Sequence, residues 1–105
     1  MVNYRVRYQA VEYVFGKGIV YHMNTTKSVN AKDIQDIRAK LLKEYKTLYL
    51  KYGTNLEISV SVGSFNKGRI MSTSKGIFWE EYPSASRYHL YPSGRVSHDI
   101  RYYAR

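Results

Sequence analysis

Cysteine is absent from this 105-residue sequence, which excludes a disulfide framework, a thiolate metal site and a cysteine nucleophile. No apolar run reaches membrane-spanning length. The opening MVNYRVRYQ alternates polar and apolar residues, unlike a signal or transit peptide, so a cytoplasmic protein with no membrane partner is expected. Acidic residues are scarce, 8 against 17 Lys and Arg, and the formal net charge is +9. A chain this basic cannot imitate DNA by being acidic. Tryptophan occurs once and phenylalanine three times, but tyrosine occurs twelve times.

The length suits a single compact domain spanning 1–105, large enough to build a core without metal or disulfide staples. A basic, tyrosine-rich domain fits a polyanionic partner, because phosphates attract the charge and bases stack on the rings. Tyrosine also suits half-buried strands, and lysine keeps small proteins soluble.

One stretch, residues 30–53, carries helical periodicity. Ile34, Ile37, Leu41, Tyr45, Leu48 and Tyr52 recur at steps of three and four and fall on one stripe. Asn30 suits the N-cap, Asp33 and Asp36 suit the early turns, and Lys51 suits the last turn. Gly53 suits the left-handed position that ends a helix. The outer face carries Lys32, Lys43 and Lys46, with Leu50 as an isolated exposed leucine.

The remainder reads as strand and turn. In residues 2–15, Val2, Tyr4, Val6 and Tyr8 alternate with Asn3, Arg5, Arg7 and Gln9, and the phase slips near Ala10, as a bulge would cause. Gly16-Lys17-Gly18 marks a turn into a partner strand over 18–25, with 25–29 as the link to the helix. LEISVSV, residues 56–62, reads as a central half-buried strand. Asn66-Lys67-Gly68 reads as a hairpin turn, 69–75 as a loop or edge strand, and GIFWEEY as a strand ending before Pro83. Trp79 reads as core or as an anchor for a protein partner.

Residues 86–103 read as a last hairpin, with Pro92-Ser93-Gly94 as a three-residue loop. That register pairs Tyr91 with Arg95, Leu90 with Val96, His89 with Ser97, Tyr88 with His98 and Arg87 with Asp99. Tyr88, Leu90, Val96, His98 and Ile100 then share the apolar face, with His98 a core histidine. The resulting fold class is α+β: an antiparallel β-sheet with one long amphipathic helix packed on one face, in the order β-β-α-β-(β)-β-β-β.

A helix covers one face of such a sheet and leaves the other open. Arg5, Arg7, Arg87, His89, Tyr91, Arg95, Arg101 and Tyr103 fall on the polar phase of their strands, and these are the candidate nucleic-acid-binding residues. Arginine donates two parallel bonds to phosphate and stacks on bases, and tyrosine provides a stacking platform. The alternative is a solvated face whose charges pair across strands, as Arg87 and Asp99 would. His22, His89 and His98 have no metal-ligand spacing, and neither glycine-rich turn has the length of a phosphate-cradling loop, so neither metal nor cofactor is expected. Glu80 and Glu81 point to opposite faces and cannot act as a carboxylate pair, so no catalytic residue is assigned.

The leading expectation is therefore a non-enzymatic nucleic-acid-binding module. The second is a small protein-binding inhibitor or regulator of a nucleic-acid-handling complex, of the phage or mobile-element type that includes anti-defence proteins. The third is a metal-free ribonuclease built around His89, Arg87, Arg101 and Tyr91. An unpaired edge strand would also permit a homodimer by sheet extension.

Overall fold

A computed structural model describes residues 1–98 and the backbone of 102–103. Seven strands form one antiparallel sheet: β1 Val2–Val14, β2 Gly18–Ala31, β3 Leu56–Val62, β4 Phe65–Thr73, β5 Gly76–Glu81, β6 Ser86–His89 and β7 Tyr102–Tyr103. Their spatial order is β2-β1-β3-β4-β5-β6-β7. One helix, α1 (Ile34–Tyr52), lies across one face, giving the α+β class expected from the sequence.

The helix stripe packs as its periodicity predicts. Ile37, Leu41 and Tyr45 are fully buried, in one cluster with Tyr4, Val6 and Tyr8 of β1, Ile58 and Val60 of β3, Ile70 of β4 and Trp79 of β5. Tyr45 carries its polar end into this core: its hydroxyl donates to the Leu56 carbonyl at 3.1 Å and lies 2.7 Å from the Ser72 hydroxyl. Arg38 is also buried, one position off the stripe. Its Nε donates to the Gly94 carbonyl at 2.7 Å, and its guanidinium lies 5.3 Å from the Trp79 ring centroid. Leu50 is exposed, as expected.

The helix begins later than expected, because Asp33 rather than Asn30 caps it. The Asp33 side chain accepts from the Asp36 amide at 2.8 Å, and the Asp36 carboxylate accepts in return from the Lys32 amide at 2.9 Å. Gly53 ends it at φ 62°, with its amide bonded to the Tyr49 carbonyl. Residues 25–29 are not a link but the second half of β2, which pairs with β1 from Gly18 to Ala31. The register does break at Ala10/Val11, but the extra residue of the bulge is His22 of β2 and not a residue of β1.

The 66–75 region corrects two expectations. Asn66-Lys67-Gly68 is not a turn; it lies inside β4, and the chain reverses at Gly63-Ser64. Lys67 is extra in a second bulge, where Val60 faces Gly68 and Ser61 faces Asn66. Gly68 has φ 158°, and a Cβ there would lie 2.4 Å from the Trp79 ring. This glycine therefore marks a close approach rather than a reversal. The segment that follows is not loop or edge either, since β4 sits between β3 and β5.

The last hairpin keeps its expected register only near the turn. Leu90 bridges Val96, the Tyr91 amide bonds the Arg95 carbonyl at 2.9 Å, and the Ser97 amide bonds the His89 carbonyl at 3.0 Å. Arg87, however, pairs with Tyr102 rather than Asp99, and His98 is exposed rather than in the core. Asp99, Ile100 and Arg101 lie outside the described residues.

Candidate nucleic-acid interface

Sheet alternation puts Arg5, Arg7 and Gln9 on the face away from the helix. The cross-strand partners of Arg5 are Ser28 and Ser61, and those of Arg7 are Thr26 and Ser59. Small hydroxyl residues on both sides leave the two guanidinium groups uncovered, and both arginines are exposed. Among the described residues, neither has a carboxylate within ion-pair distance. Arg7 Nε donates to Asn24 Oδ1 in a long bond of 3.4 Å. The two arginines stand two residues apart on β1, about 7 Å along the strand.

These side chains line an open polar trough of about 650 Å³, together with Gln9, Asn24, Thr26, Ser59, Ser61 and Asn66. Glu57 and Tyr82 also line it. A smaller hollow of about 420 Å³ shares Arg5 and Thr26 with it, and Lys27 lies on its wall. Phe65, 72% exposed, lies beside Asn66, Tyr82 and Pro83 in an adjoining hollow. The trough thus combines cations that have no carboxylate partner among the described residues, hydroxyl and amide hydrogen-bonding groups, and the ring of Tyr82.

Further across the sheet the arginines are already engaged. Glu80 of β5 is buried and accepts from Arg69 Nε at 2.7 Å and from Arg87 Nε at 2.8 Å. Arg69 also donates through Nη1 to Glu57, and the Tyr82 hydroxyl donates to Glu80 Oε1 at 3.3 Å. Burial pushes the Glu80 carboxyl up. Hydrogen bonds from Arg87 and Arg69, with the charges of both, outweigh it and hold the group below the ordinary glutamate value. Burial likewise lowers Arg69, but the Glu80 hydrogen bond and the Glu57 charge leave it raised. The chain Glu57–Arg69–Glu80–Arg87 spans β3 to β6 with its charges balanced.

The structure therefore separates the sequence-derived candidates. Arg5 and Arg7 stand together. Arg87 shares their face but is paired, four inter-strand spacings or about 19 Å away. His89 is half-buried with its ring centroid 4.6 Å from that of Phe78, which is itself fully buried. Arg95 and Tyr91 contact each other across 5.6 Å on a turn held against the helix through Gly94 and Arg38. Arg101 lies outside the described residues, as does the side chain of Tyr103.

Asn24, Thr26, Ser59, Ser61, Asn66 and Tyr82 were not among the sequence candidates. Outward phase alone flags the two serines of LEISVSV. Asn24 lies in the strand expected over 18–25, whereas Thr26 becomes visible only once 25–29 is a strand. Among the described residues no helix is long and apolar enough to cross a membrane, and no three His, Asp or Glu side chains cluster as metal ligands. Comparison of the chain with protein-family models, with curated proteins and with solved structures finds no match.

Proposed function

We propose that this protein is a non-enzymatic module that binds nucleic acid through the β2-β1-β3 end of its open sheet face. The observation that carries this reading is the contrast among the arginines. Arg69 and Arg87 are consumed by Glu57 and Glu80, whereas Arg5 and Arg7 face a polar trough with no carboxylate partner among the described residues. Two uncommitted arginines flanked by hydroxyl groups suit phosphate oxygens, which accept from both kinds of donor. Tyr82 at the margin offers a surface on which an unpaired base stacks. The net charge of +9 draws any polyanion toward the molecule, and the trough provides the contact. The non-enzymatic reading is supported by the engagement of His89 with Phe78 and of Arg87 with Glu80, which occupies two members of the ribonuclease set.

Fluorescence anisotropy with a labelled single-stranded oligonucleotide, repeated over a salt series, tests the proposal. Arg5→Glu with Arg7→Glu should weaken binding more than tenfold. The log–log salt slope should flatten by about 0.7 for every phosphate that is no longer neutralised. Lys43→Glu with Lys46→Glu, on the outer helix face, makes the same change in net charge and should cost far less. Equal weakening by the two double variants would mean diffuse attraction and would overturn the site.

A further inference from the structure

The distal end of the first hairpin projects from the sheet. β1 pairs with β3 only over Arg5 to Ala10, so beyond Ala10 the described strand partners of β1 and β2 are each other. The register places Val11 opposite Tyr21 and Tyr13 opposite Ile19, and period-two alternation puts all four on one face of this arm. Tyr13 is 75% exposed, Ile19 60% and Tyr21 56%, and Phe15 at the tip is 95% exposed. No other part of the described chain exposes so many large apolar side chains together. A bare two-stranded ribbon of this kind gains little stability from its own contacts.

We infer that the arm is a self-association element, and that its occupant is the arm of a second copy of this chain. Charge selects that occupant. Residues 11–23 contain Glu12 and Lys17 as their fixed charges, and Glu12 Oε1 lies 3.0 Å from His22 Nε2. The arm is therefore neutral on a molecule of net charge +9. It offers nothing to steer an acidic protein or a nucleic acid, while two copies meet there with the least repulsion. Area agrees with this. With about 150–250 Å² for a full large side chain, the exposed parts of Tyr13, Ile19, Tyr21 and the tip residue Phe15 come to roughly 430–710 Å² per copy. Two such arms bury about 860–1,420 Å², around the lower bound for a specific interface. A two-fold axis makes one apolar face its own complement.

The rest of the β2 edge is guarded. Lys27 stands on its core-side phase, 3.6 Å from Glu44 and 4.9 Å from the Tyr8 ring centroid, and an inward-pointing charge of this kind discourages edge-to-edge pairing. Contact is thereby confined to the arm. This inference is independent of the nucleic-acid reading, since it uses none of the trough residues.

Sedimentation equilibrium on the full chain tests it. The wild-type protein should be a dimer that persists or tightens in high salt, the opposite of phosphate binding. Tyr13→Lys with Ile19→Lys should weaken the dimer by about 30-fold or more. Phe65→Lys, equally exposed but off the arm, should leave it intact. Because the chain has no cysteine, a single Tyr13→Cys or Ile19→Cys substitution should form a disulfide-linked dimer under mild oxidation, faster than Leu50→Cys on the outer helix face. This holds the inference open to test even if the double lysine variant unfolds. A wild-type monomer at the highest attainable concentration, loss of the dimer in high salt, dissociation by Phe65→Lys, or equally fast cross-linking at Leu50→Cys would each overturn it.

Discussion

Single residues decide how closely the layers approach. Gly94 has φ 85°, and a Cβ there would lie 2.0 Å from the Gln35 carbonyl oxygen and 2.8 Å from the Ala39 amide nitrogen. Both atoms belong to helix backbone, which cannot move aside. Gly94→Ala therefore has two costs, about 1–2 kcal/mol for left-handed backbone and a larger one for separating the hairpin turn from the helix. Gly16 provides the comparison, with φ 83° and no atom within 4 Å of its missing Cβ. Gly16→Ala should cost only the conformational part. Urea denaturation of both variants checks the difference, and equal destabilisation would mean that the turn does not rest on the helix. From the sequence, both glycines read as turn residues. Only the position of the helix distinguishes them.

At the scale of elements, legibility follows how much of the alternation survives. α1 and β3 are plain in the sequence because their stripes of apolar residues are unbroken. β4 is not, because its core-side positions are Gly68, Ile70 and Ser72. Gly68 leaves room for the Trp79 ring, and Ser72 meets the Tyr45 hydroxyl. Tertiary fit replaces two of three apolar signals. The second half of β2 is obscured differently: it is an edge strand, mostly exposed, and NTTKS needs no alternation to remain there. The helix–sheet packing itself has a direct test. Leu41 is fully buried among Ile58, Val60 and their neighbours, and Leu41→Ala should cost about 2–5 kcal/mol, measured by chemical denaturation. A destabilisation under about half a kilocalorie, the size usual for surface positions, would contradict the packing.

Across the whole molecule, the balanced chain from Glu57 to Arg87 ties β3, β4, β5 and β6 together on the face the helix does not cover. Glu80 titrates below its ordinary value of 4.5 in the folded protein, so the unfolded chain binds its proton more readily. Its contribution to stability is complete above that value and is lost as pH falls through the depressed folded value. Thermal melts of wild type and Glu80→Gln from neutral to acid pH should therefore converge below pH 4.5, because the variant has already lost the charge. A gap that stays constant with pH would mean the carboxylate charge adds nothing. The sequence by itself determined the class of fold, the helix stripe and the outward phase of Arg5 and Arg7, because each follows from local periodicity. Tertiary structure decided which arginines lack a carboxylate partner among the described residues. That outcome depends on β4 and β5 lying between β3 and β6, where Glu57 and Glu80 reach Arg69 and Arg87 and no carboxylate among the described residues pairs with Arg5 or Arg7. Strand order is a long-range property, and no spacing along the chain encodes it.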